Sequence, residues 1–114
     1  LYVSFRGIKA PIKIGILHSL TGSQAFSEKP LVDAELMAIE EINARGGING
    51  ASVVAVIADG KSDEKIFAQE AQRLIEQENV SALIGCWTSA SRKAVKAVVE
   101  KYDNLLVYPV SYEG

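Results

Sequence analysis

The fold of this chain is decided by residues 82–95, which read ALIGCWTSASRKAV. The first four residues are a short apolar run that predicts a buried strand. Val95, Val98 and Val99 then mark the inner face of a helix from about Ser91 to Tyr102. A hydroxyl-rich turn lies between strand and helix. Such a turn leaves the first backbone N–H groups of the helix free to bind a ligand.

The same alternation extends to both sides of that stretch. Further strands are predicted at Ile12–Leu17, Ala51–Ala58 and Leu105–Tyr108, and further helices at about Lys29–Ala44 and from a cap at Ser62 or Asp63 to Glu78. Pro30 suits the first turn of its helix, where the missing N–H costs little. Strands that alternate with helices predict an α/β fold, an open three-layer parallel sheet with right-handed crossovers.

Composition excludes several classes of protein. The 114 residues carry a net charge of −2 and are 48% hydrophobic, which is ordinary for one small globular domain. No basic patch interleaved with aromatic residues suggests nucleic acid. No apolar run approaches the roughly 20 residues of a membrane helix. Cys86 is the only cysteine, so no intrachain disulfide can form. Because the chain begins at Leu1 and ends just after a predicted strand, we expect it to be part of a longer product.

The candidate site lies at the carboxyl ends of the strands, where open α/β sheets bind ligands. The residues there are mostly hydroxyl-bearing or aromatic: His18, Ser19, Thr21, Asp59, Trp87, Thr88, Ser89, Tyr108, Ser111 and Tyr112. That composition favours hydrogen bonding and ring contacts over acid–base chemistry. The sequence therefore predicts a pocket for a small, polar, uncharged ligand.

No enzyme motif accompanies these residues. The glycine patterns of dinucleotide and phosphate loops are absent. Ser89 is flanked at two residues' distance by Trp87 and Ser91 rather than by the glycines of a nucleophile elbow. The single histidine and single cysteine argue against a metal centre, which needs several converging ligands. We expect binding without catalysis and without a cofactor.

Two motifs carry a family resemblance across most of the chain. GCWTSASRKAV at 85–95 is followed by LLVYPVSYEG at 105–114, and IKIGILHSLTGSQAFSE at 12–28 and AIEEINARGGING at 38–50 fit the same pattern. Together they resemble the amide- and urea-binding branch of the type I periplasmic binding proteins. The tryptophan form of the turn is most similar to the substrate-binding proteins of urea ABC transporters.

The resemblance implies a two-lobed fold with flavodoxin-like strand order that closes on its ligand. Residues 1–11 would be an N-terminal extension, and residues 12–114 the first segment of lobe 1, without the second lobe. The ligand-binding residues carried over from the motifs are Trp87, Ser89, Tyr108, Val110 and Ser111.

The resemblance also implies a function, a location and partners. The protein would bind urea or a short-chain amide for the membrane subunits of an ABC transporter, in the periplasm or outside the cell, with a lipid anchor as one option. The alternative is a ligand-sensing domain of a regulator or sensor kinase, which would be cytoplasmic if it is a regulator. An exposed sheet edge would allow a homodimer.

Each candidate residue also has a structural interpretation. Trp87 and Tyr108 could belong to the core, and Ser89 could simply cap its helix. His18 is more typical of a histidine with internal hydrogen bonds than of a ligand group. Arg92 and Lys93 are cations near a helix N-terminus, where they oppose the helix dipole. Their side chains are expected to extend outward into water, and the alternative is a contact with another lobe or a partner.

Overall fold

The computed structural model describes residues 9–110, so Ser111 lies outside the described residues. Those residues form a four-stranded parallel sheet and three helices. The strands are β1 (Ile12–His18), β2 (Val53–Asp59), β3 (Ala82–Gly85) and β4 (Leu106–Val107). The helices are α1 (Ala25–Ala44), α2 (Glu64–Glu76) and α3 (Ser89–Lys101). The strand order is β2-β1-β3-β4, which confirms the predicted α/β class and flavodoxin-like order.

Helices cover both faces of this sheet. The strand register places Leu17 beside Ala58 and Gly85, on the face that packs against α2 and α3. The buried residues of that core include Phe67, Ala71, Leu74, Leu83, Val95 and Val99. Neighbouring residues of a strand point to opposite faces, so His18 points away from this core. Its side chain meets Glu28 and Glu35 of α1, which therefore lies on the other face.

Two helices begin earlier than the sequence predicts. Helix α1 starts at Ala25 rather than near Lys29, so the expectation that Pro30 lies in its first turn is wrong. The start is stabilised from another loop, because the Ser62 hydroxyl accepts a hydrogen bond from the Gln24 N–H at 2.9 Å. Helix α3 starts at Ser89 instead of Ser91. In residues 9–110, no helix is long and apolar enough to cross a membrane.

Strands β1 and β3 approach closely at two glycines. A Cβ atom added to Gly85 would lie 2.2 Å from the backbone oxygen of Leu17. A Cβ atom added to Gly15 would lie 2.5 Å from Cδ2 of Leu83, the far end of a flexible side chain. The first clash can be relieved only by separating the strands, and the second by a change of rotamer.

This difference predicts unequal costs for two matched substitutions. Gly85→Ala should lower the free energy of unfolding by about 1–3 kcal/mol, as overpacking does when the backbone must move. Gly15→Ala should cost clearly less. Guanidinium unfolding of the chain, followed by circular dichroism, measures both. Equal costs, or a larger cost for Gly15→Ala, would contradict the described strand contact.

Candidate functional site

The loops at the carboxyl edge of the sheet are joined by Asp59. Its carboxylate accepts hydrogen bonds from the Leu20 N–H at 2.8 Å, the Thr21 hydroxyl at 2.7 Å and the Lys61 N–H at 2.8 Å. Burial alone would raise the pKa of Asp59, but these hydrogen bonds outweigh it and hold the pKa below its usual value. Asp59 is thus a structural carboxylate that fixes the β1–α1 loop to the β2–α2 turn.

Ser62 makes a second connection between the same two loops. Its hydroxyl donates to the Thr21 carbonyl at 2.8 Å, and its N–H donates to the Ser19 hydroxyl at 2.9 Å. The loops are therefore held by side-chain hydrogen bonds in addition to the strands that precede them. This leaves their relative position well defined.

A cavity of about 130 Å³ lies at this edge, where the N-terminal ends of the three helices meet. That volume admits a molecule larger than a single water. Its lining includes residues from all three crossovers: Ser19, Glu28, Ser62, Thr88, Ala90 and Ser91. The hydroxyl-rich turn identified in the sequence therefore contributes Thr88, Ala90 and Ser91 to the wall of this cavity, whereas Ser89 itself is not among the lining residues.

Cys86 gives the β3–α3 turn its shape. Its φ angle is +78°, a left-handed conformation that is unusual for a residue other than glycine. The N–H of Cys86 donates to the Leu17 carbonyl at 3.0 Å, which holds the turn against β1. Burial raises the pKa of the Cys86 thiol to about 12. The thiol is therefore protonated at neutral pH and serves as a small packing group.

Thr88, and not Ser89, caps helix α3. The Thr88 hydroxyl accepts from the Ser91 N–H at 3.1 Å, so the interpretation of Ser89 as the cap is wrong. Ser89 is the first helical residue. Its Oγ is buried and has no hydrogen-bond partner among residues 9–110. The N–H groups of Ser89 and Ala90 also lack helical acceptors because they belong to the first turn.

The two aromatic candidates are joined by a hydrogen bond. The Tyr108 hydroxyl donates to the Trp87 carbonyl at 2.8 Å, linking the residue after β4 to the turn after β3. The Tyr108 ring also packs against the core, and both residues are half-buried. Val110 is half-buried at the end of the described range, which stops short of Ser111.

Arg92 departs from its predicted orientation. Its side chain is buried, with 8% of the residue exposed, and the guanidinium lies 5.6 Å from the centre of the Tyr108 ring. A cation over an aromatic face is attracted by the ring's electrons. The expectation that Arg92 extends into water is therefore wrong, whereas the neighbouring Lys93 is exposed.

His18 is the buried charged centre beneath the cavity. It is fully buried, with Nδ1 3.0 Å from Oε1 of Glu28 and Nε2 2.8 Å from Oε2 of Glu35. Burial alone would lower the pKa of His18, but the hydrogen bonds and charges of the two carboxylates raise it to about 9. The imidazole is thus protonated at neutral pH and donates from both nitrogens. This cluster was not predicted from the sequence. The only indication in the sequence was the spacing of Glu28 and Glu35, which places them two turns apart on one helix face.

The raised pKa predicts a pH-dependent stability. A group that binds its proton more tightly when folded contributes fully below its unfolded pKa of about 6.5, and that contribution is lost as the pH rises through about 9. The free energy of unfolding should therefore fall between these pH values, as guanidinium unfolding at a series of pH values would measure. His18→Gln should remove this fall. An equal fall in the variant would assign it to other groups.

In residues 9–110, no cluster of histidine, cysteine, aspartate or glutamate is arranged to hold a metal ion. The polar groups at the mouth are instead hydroxyls, backbone N–H groups and a buried carboxylate. Such groups can bind a small polar molecule by hydrogen bonds.

Comparison with known proteins finds relatives over most of the chain. A family model described as "Periplasmic binding protein domain" matches residues 12–114. The Leu/Ile/Val-binding protein homolog 7 of Brucella abortus is 35% identical over 91 residues, which are 80% of this chain and 23% of that protein. An amino acid binding protein of Pseudomonas aeruginosa is 30% identical over 102 residues, 90% of this chain and 27% of that protein.

Solved structures agree with the fold. The branched-chain amino acid transporter substrate binding protein LivJ of Streptococcus pneumoniae, solved with isoleucine, superimposes with a TM-score of 0.87 and 33% identity. The match covers 90% of this chain and 30% of that one. The leucine binding protein LivK of Thermotoga maritima gives a TM-score of 0.82 at 27% identity, covering 90% of this chain and 28% of that one.

These comparisons support an assignment to a family of proteins, but not to the ligand-specific branch that the motifs suggested. The chain spans about a quarter of the length of the two curated relatives named above, 23% and 27%. Both relatives and both structures are named for amino acids, and the expected urea and amide branch receives no support from those names.

Proposed function

Because the chain belongs to the periplasmic binding protein family, we propose that it forms the first segment of lobe 1 in a two-lobed, non-catalytic solute-binding protein. The ligand is held at the carboxyl edge of the sheet, and a second lobe closes over it. The protein delivers its ligand in the periplasm to the membrane subunits of an ABC transporter. Homology over residues 12–114 supports this assignment.

One observation carries the position of the site in this proposal. Among residues 9–110, the buried hydroxyl of Ser89 has no partner, and it lies beside the free N–H groups at the start of α3. An unpaired buried hydroxyl costs about 1–3 kcal/mol, so a ligand that satisfies it gains binding energy. The proposed ligand residues are Trp87, Ser89, Tyr108, Val110 and Ser111. Trp87 and Tyr108 are the walls, and the others offer hydroxyl and backbone groups.

We propose urea or a short-chain amide as the ligand. Such a molecule has a carbonyl that accepts from Ser89 and the α3 N–H groups, and N–H groups that need acceptors. The motifs at 85–95 and 105–114 support this choice. An aliphatic amino acid is the second candidate, and the names of the Brucella and Pseudomonas relatives favour it.

Calorimetry on the full-length product that contains this chain separates these candidates. Urea, acetamide, leucine and isoleucine are titrated in turn. The proposal expects binding of urea or acetamide. Binding of leucine or isoleucine alone would keep the solute-binding function and replace the ligand, and binding of none would contradict the proposal. The isolated chain should bind weakly or undetectably because one lobe supplies only part of the walls.

Adjacent hydroxyls offer a matched test of the site. Ser89→Ala should weaken binding of the ligand by about three- to tenfold, the loss expected for one hydrogen bond. It should not lower the free energy of unfolding, because Ser89 Oγ has no hydrogen-bond partner among residues 9–110. Thr88→Ala should instead lower the free energy of unfolding by about 0.5–2 kcal/mol, because it removes the cap. Unchanged affinity in the Ser89 variant would place the ligand elsewhere.

A further inference from the structure

Cys86 has an unusual backbone conformation at the start of the turn between β3 and α3. Among residues 9–110, six residues other than glycine have a positive φ angle, and the value of +78° at Cys86 is the largest of them. The other five have φ angles between +51° and +56° and are exposed or half-buried, whereas Cys86 is fully buried. A left-handed conformation is unfavourable for a residue with a Cβ atom, and it persists only where the surrounding structure fixes it.

Hydrogen bonds hold the chain on both sides of this angle. The N–H of Cys86 donates to the Leu17 carbonyl at 3.0 Å, directly after the last residue of β3 that pairs with β1. The carbonyl of Trp87 accepts from the Tyr108 hydroxyl at 2.8 Å, and Thr88 caps α3. The change of direction from strand to helix is therefore confined to a short stretch, and the positive φ angle of Cys86 is part of it.

The unsatisfied polar groups of the candidate site follow this turn directly. The Ser89 hydroxyl is buried and has no partner among residues 9–110, and the N–H groups of Ser89 and Ala90 have no helical acceptor. Ala90 also lines the cavity at the sheet edge. A different φ angle at Cys86 would rotate the start of α3 relative to β3, and these groups would change direction with it.

The thiol of Cys86 offers a competing explanation. It belongs to the hydrophobic core, where a free cysteine acts as a small apolar residue. Packing and backbone make opposite predictions for substitution. Glycine keeps the backbone conformation and loses the side chain, whereas valine keeps the apolar side chain and disfavours the conformation.

We propose that the left-handed backbone of Cys86 positions the free N–H groups of Ser89 and Ala90 for the bound solute. Cys86 is then a positioning residue of the site, and it acts through its φ angle and not through its thiol. This inference rests on the proposed function. Strained backbone of this kind occurs where a protein holds a ligand, because donors that are already in place lose little freedom on binding.

Two substitutions at Cys86 separate the backbone from the packing. Cys86→Gly should keep the affinity of the full-length product within about threefold of the wild type, because glycine adopts a positive φ angle freely. In Cys86→Val the ligand must restore the turn, so binding should weaken about tenfold or more. Calorimetry with urea, acetamide, leucine and isoleucine measures both affinities. The reverse order would assign the effect to packing of the thiol and overturn the proposal.

Asp103→Val is the matched control at the other end of α3. The φ angle of Asp103 is +53°, and the 13 residues of the helix separate it from the turn. Valine there meets the same kind of backbone penalty, so it should lower the free energy of unfolding but change the affinity by less than about threefold. Equal weakening of binding by Cys86→Val and Asp103→Val would attribute the effect to lost stability and contradict the proposal.

Cys86→Ala covers the case in which Cys86→Val does not fold. Alanine keeps the Cβ atom, and with it the unfavourable φ angle, but fills more space than glycine. The proposal expects Cys86→Ala to bind the ligand no more tightly than Cys86→Gly. Tighter binding by Cys86→Ala would again assign the role to packing.

Residual dipolar couplings of the Ser89 and Ala90 N–H bonds report their orientation without a ligand. In the full-length product they should match the wild type in Cys86→Gly and differ from it in Cys86→Val. Unchanged couplings in both variants would overturn the role of Cys86 whatever the ligand is. If the wild type binds none of the four probes, the proposed function fails, and these couplings still decide whether Cys86 sets the direction of the N–H groups.

Discussion

The imidazolium of His18 between the carboxylates of Glu28 and Glu35 is the interaction on which this structure depends. It joins the last residue of the central strand β1 to the first three turns of α1, where His18 and Glu28 are almost fully buried. Removing one member of a buried ion cluster leaves an uncompensated charge, which typically costs about 3–5 kcal/mol. The position of α1 on the sheet, and with it one wall of the cavity, follows from this contact.

The mouth of the sheet is divided between polar groups that hold the protein together and polar groups that remain available. The side chains of Asp59, Ser62 and Thr88 form hydrogen bonds with neighbouring loops and helix ends. Ser89 carries a buried hydroxyl oxygen that no described group satisfies. A binding site needs both kinds, because available groups select a ligand only when the loops that carry them are fixed.

The sheet could be predicted because its signals are local, whereas contacts between distant residues could not. Short apolar runs and amphipathic helices specify the alternation, and the resemblance supplied the strand order. The start of α1 was missed because its cap comes from Ser62, far along the chain. The direction of Arg92 was missed because the Tyr108 ring attracts it inward. The glutamate partners of His18 carry the right spacing, but nothing in the sequence says that their face of α1 meets the end of β1.

The arrangement around His18 restricts how relatives of this chain can diverge. A neutral side chain at that position would leave two largely buried carboxylates without a cation between them, and losing one carboxylate would change the charge of the whole cluster. Single substitutions at any of the three positions are therefore penalised, and tolerated changes should occur together. An alignment of close relatives should show these three positions either retained as a set or replaced as a set, with few mixed combinations.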